Sequence, residues 1–99
     1  MIVECTFDGE MRLAEPFDFR NFKLLLKGDT GLRPASIGRI TLVDDRNALV
    51  PIDLVPALPG RPDDAAWNAA YTDMIEKARK HGWIDAKANA IRAHIERAQ

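Results

Sequence analysis

DAKANAIRAHIERAQ, residues 85–99, can be threaded in two ways, and the choice decides the fold. Ala88, Ile91, Ile95 and Ala98 recur at three and four residues, and Asp85 stands where a helix cap would. Ile91, Ala93 and Ile95 also alternate with Arg92, His94 and Glu96, the period of a closing strand after a turn at residues 86–89. Helix propensity favours the first path, so a second helix is expected here. Either path leaves the class α+β.

Upstream, Asp63 opens a helix of about five turns that runs to His81. Asp63 or Asp64 can accept from its first free N–H groups, while Lys77, Arg79, Lys80 and His81 suit its negative end. Trp67, Ala70, Tyr71, Met74 and Ala78 make the buried stripe, which reads as core and not as a cofactor box. The helix must stop at Gly82, where a left-handed glycine lets Trp83 fold back over Ala78. KHGWID, residues 80–85, is therefore read as helix punctuation in preference to a catalytic His-Asp pair.

Four of the six prolines fall between Pro51 and Pro62, a stiff crossing from sheet to helix. Before it, residues 39–55 read as a hairpin turning in Asp44 to Asn47, with Leu42 opposite Leu49 and Thr41 opposite Val50. Pro51 has no N–H for a ladder, which puts its strand on an edge at that point. Both faces carry apolar residues, so a helix should cover one and a second subunit or another sheet layer the other; another copy of the chain is the natural partner.

The first hairpin is specified more tightly. A two-residue turn at Asp8-Gly9 would set Met11 and Leu13 on the face opposite Val3 and Cys5. A three-residue loop, Phe7 to Gly9, pairs Cys5 with Met11 and Val3 with Leu13, and Glu4 with Arg12 on the other face. Residues 17–27, FDFRNFKLLLK, fit a short helix capped by Asp18 or a strand through Phe22, Leu24 and Leu26; the strand suits its neighbours. Residues 28–38 form a loop by their glycine and proline content.

The predicted architecture is one α+β domain over 1–99. In it a small antiparallel sheet of two hairpins, with one or two further strands, packs on one main helix of about residues 63–81.

Composition narrows the function classes. With 46% apolar and 29% charged residues the chain is globular in character. Its net charge is −1 and evenly shared: residues 1–50 carry 7 basic and 8 acidic side chains, residues 51–99 carry 7 and 7. No global field attracts nucleic acid. The basic stretch from Ile75 reads as a solvated face. No apolar run spans a bilayer, and no basic leader precedes Ile2, so a cytoplasmic protein is expected. Alanine and arginine usage suits a GC-rich bacterial genome. The single cysteine, Cys5, excludes an internal disulfide and a thiolate-rich zinc site, and its place on an apolar strand face makes it inert core.

No catalytic, metal or cofactor set emerges. Ser36 follows Pro34-Ala35, which spoils a nucleophile elbow. The glycines at 28, 31 and 38 do not space as a phosphate loop. Two weak clusters remain. The Gly28–Arg39 loop offers Arg33, Ser36 and Arg39, with Thr30, as donors for an anion. His81, Asp85 and His94 would make a metal site, or an enzyme's polar cluster, only if the fold gathered them. The leading expectation is a small non-enzymatic interaction module, homo-oligomeric, whose partner is another protein. The alternative is a small enzyme or anionic-ligand-binding protein using one of those clusters.

Overall fold

A computed structural model describes residues 1–28, 31 and 34–98. It corrects the expected small two-hairpin antiparallel sheet: among the described residues, eight strands form a curled, mixed half-barrel sheet with one α-helix. The strands are β1 (Ile2–Thr6), β2 (Met11–Ala14), β3 (Lys23–Lys27), β4 (Ser36–Ile37), β5 (Ile40–Leu42), β6 (Asn47–Pro51), β7 (Ile84–Asp85) and β8 (Ala90–Ala98), and α1 is Ala65–Lys80. Their order is β2-β1-β3-β8-β6-β5-β4, with β7 added to β8. β3 runs parallel to both β1 and β8, a pairing no chain of hairpins supplies.

The second helix expected at the C-terminal end is the central strand. In β8, Ala90, Ile91, Ala93 and Ile95 are buried, while Arg92, His94 and Glu96 are exposed, so period two wins over helix propensity. Ala88, counted in the helical stripe, is exposed in the turn. Asp85 still accepts from a backbone N–H three residues on, Ala88 N at 3.0 Å. The contact that would cap a helix here closes a turn.

The first hairpin has the expected register: Cys5 pairs with Met11, Glu4 with Arg12 and Val3 with Leu13, and Gly9 has φ +95°. Residues 23–27 are the expected strand. The second hairpin turns at Asp44, whose Oδ1 accepts from Arg46 N and Asn47 N at 2.8 Å each. Its register is shifted by one residue, to Thr41 with Leu49 and Leu42 with Ala48. Buried Ala48 and Val50 thus face the core, and Thr41 and Leu49 turn outward. Pro51 ends β6 with β8 on one side and no β5 residue opposite, as an edge proline requires.

α1 is capped by Asp64, which accepts from Ala66 N at 2.9 Å. It ends as expected at Gly82, φ +78°, where Gly82 N bonds Arg79 O and Trp83 N bonds Ala78 O at 3.0 Å. Its buried residues are Trp67, Tyr71, Met74, Ile75 and Ala78; Ala70 stays half-buried. They join the core faces of β1, β3, β6 and β8 in one cluster. The polar atoms that enter it are satisfied, with Trp67 Nε1 donating to Pro16 O at 2.7 Å and Tyr71 OH to Ile52 O at 2.8 Å.

Candidate functional site

β7 covers only Ala90 and Ile91 on one flank of β8, and β3 takes up that flank again at His94. Between them the sheet is notched. A groove of about 960 Å³ lies there, bounded by the second half of α1, the 15–22 segment and β8.

Register fixes what faces it. Ile84 pairs with Ile91, so Trp83 stands opposite Arg92, and Arg92 N donates to Trp83 O at 2.8 Å. Opposed residues point to one face. Arg92 and His94, two residues apart, share it. The His81 ring stacks on Trp83, 4.9 Å between centroids and 25° between planes, yet Trp83 remains 54% exposed. An indole this open has surface left for a ligand.

Charges along the groove are unevenly spent. Lys23 Nζ lies 3.0 Å from Glu96 Oε2, and Lys77 Nζ lies 3.1 Å from Asp73 Oδ2. The Met1 amino group donates to the carbonyls of Asp18 and Asn21 at 2.6 Å and sits 3.9 Å from the Asp18 carboxylate; burial holds its pKa below the ordinary value. Glu15 adds its field to the same amino group. Arg92 and Arg20 have no carboxylate within 4 Å among the described residues, although Arg92 feels the field of Asp44.

Among the described residues, Ser36 and Arg39 of the expected anion loop and His81, Asp85 and His94 of the second cluster can be placed. Arg33 and Thr30 lie outside the described residues. Ser36 is exposed on β4 opposite Thr41, and Arg39 pairs with Asp53 at 2.8 Å. His81 and His94 both line the groove, but Asp85 is held in the 85–89 turn. Among the described residues no three His, Cys, Asp or Glu gather to hold a metal ion. Burial pushes the Cys5 thiol up to about 11, which suppresses the thiolate a nucleophile needs. No helix among the described residues is long and apolar enough to cross a membrane.

Trp83 and Arg92 were the residues that sequence reasoning passed over. The signal was present in the strand alternative: a turn at 86–89 brings Trp83 across from Arg92. The chain matches no protein-family model, and no curated protein or solved structure matches it.

Proposed function

We propose that the chain is a non-enzymatic binding module that holds an acidic segment of another protein in the groove. The imbalance of charge carries the reading. Three of the acidic groups along the groove have an internal cation within 4 Å and Glu15 faces the Met1 amino group, whereas Arg92 and Arg20 lack a close carboxylate beside an exposed indole. Such a surface complements an anionic partner. A cytoplasmic setting fits the buried free thiol of Cys5. Self-association has less to support it, because Leu49 stands on the outer face between Thr41 and Arg92 and not in an apolar patch.

The test is a titration of the labelled chain with acidic, neutral and basic peptides of equal length, followed by backbone amide shifts. Acidic peptides should move the signals of residues 81–83 and 92–94; silence with all three would overturn the module. A small anionic metabolite is the second reading, favoured by a groove volume within the range of small-molecule pockets. A rise in melting temperature with a free anion, and none with peptides, would select it.

A further inference from the structure

Resting on that reading, we infer that Trp83 and Arg92 read one feature of the bound segment: an aromatic side chain with a carboxylate two residues away. The pair is built by backbone register, so its spacing is fixed. Residues facing each other across antiparallel strands lie about 4.5–5.5 Å apart at Cα, and Arg92 N to Trp83 O is the one backbone bond that joins this pair. In an extended peptide, side chains two residues apart project to one side about 6.5 Å apart. A segment crossing the strands β7 and β8 in extended form therefore sets one side chain over Trp83 and the next on that side over Arg92.

Each half selects its own chemistry. His81 stacks against Trp83 and steadies the ring, while the 54% exposure leaves indole surface on which an aromatic residue can stack. Arg92 presents a planar fork of donors with no carboxylate within 4 Å among the described residues, which suits bidentate capture of a carboxylate. Lys23 is the poorer partner, since Glu96 Oε2 already lies 3.0 Å from its Nζ and an ammonium offers no planar fork.

Four peptides and three variants test this on the full chain. The peptides carry Phe-x-Glu, Ala-x-Glu, Phe-x-Gln or Phe-x-x-Glu in one neutral frame; the variants are Arg92→Gln, Trp83→Ala and Trp83→Phe. Arg92 is exposed and Trp83→Phe keeps an aromatic ring beside His81, so these two variants should keep the parent melting temperature, and Trp83→Ala is compared with the parent below its own melting point. Phe-x-Glu should bind best, and each truncation on either side should weaken it about tenfold, as for contact anchors elsewhere. Trp83→Phe should retain most of the affinity, and Arg92→Gln should add no further loss to the Phe-x-Gln peptide. Acidic peptides that bind the variants as well as the parent would overturn the inference and leave the module standing. Absence of binding by every peptide would overturn both. A free aromatic carboxylate that binds as tightly as the peptide would overturn the protein segment as occupant.

Discussion

Gly60, φ +96°, lies where a Cβ would collide with the Leu13 carbonyl oxygen, beside the 2.7 Å bond from Leu13 N to Pro59 O that covers the outer edge of β2. Gly9 has nearly the same φ, +95°, but open space around it. Alanine at Gly9 should cost about 1–2 kcal/mol, the penalty of the left-handed region alone. Alanine at Gly60 should cost about 2–4 kcal/mol, because the backbone must also shift. Urea unfolding of the two variants checks this, and equal losses would show that the close approach to Leu13 relaxes freely. Cys5 makes a pH-dependent counterpart. Its thiol ionises near 9 when unfolded and at about 11 when folded, chiefly through burial. Between those values the unfolded chain has lost a proton that the folded chain keeps, so stability falls as pH rises from 9 to 11 and is fully present below 9. Burial raises the Tyr71 hydroxyl as well, so other groups share the alkaline limb and the contrast with a variant is what isolates the thiol. Cys5→Ala should be less stable at neutral pH, yet lose less between pH 9 and 11; parallel curves would place the thiol in water.

β8 and its neighbours show which elements can be read locally. The first hairpin was legible because period two, Gly9 and the apolar set Val3, Cys5, Met11 and Leu13 agree on a single register. The second hairpin offered apolar residues on both faces, so a shift by one residue left no local contradiction. The parallel pairs β1 with β3 and β3 with β8 left no trace, because strands so far apart in sequence share no turn chemistry. In residues 85–99 the apolar positions satisfy both periods, and intrinsic propensity then chose the helix that tertiary pairing overrides. The same ambiguity hid the site, since Arg92 meets Trp83 only in the strand. Two residues of the supposed helical stripe now separate the readings. Ile91 is 2% exposed, so Ile91→Ala should cost about 2–5 kcal/mol despite the better helix propensity of alanine. Ala88 is exposed in the turn, so Ala88→Gly should stay within about 0.5 kcal/mol, where a helix interior would lose about 1 kcal/mol. Thermal or urea unfolding of the pair gives the answer.

Among the described residues the sheet divides into two groups, β2-β1-β3 and β6-β5-β4, that touch in the ladder only through β8. Each group has local hairpin contacts, but β3 would expose Leu24 and Leu26, and β6 would expose Ala48 and Val50, without the strand between them. β8 therefore completes the core from far along the chain, the hallmark of a fold rich in long-range pairing and of slow assembly. It also carries Arg92 and His94 on its outer face, so one strand sets Ile91, Ala93 and Ile95 in the core and the proposed binding residues on the other side. A chain ending at Asn89 should show no cooperative thermal transition, because neither strand group closes a core alone. Adding a peptide of residues 90–98 should restore the transition in a concentration-dependent way, as binding to the folded state alone demands. The same peptide with Ile91, Ala93 and Ile95 replaced by Ser should fail to do so, while one with Arg92→Gln should succeed and bind Phe-x-Glu about tenfold more weakly than the parent peptide does. A shortened chain that melts cooperatively near the parent midpoint would show that the two groups cohere through α1, and that β8 is an addition to a core already formed.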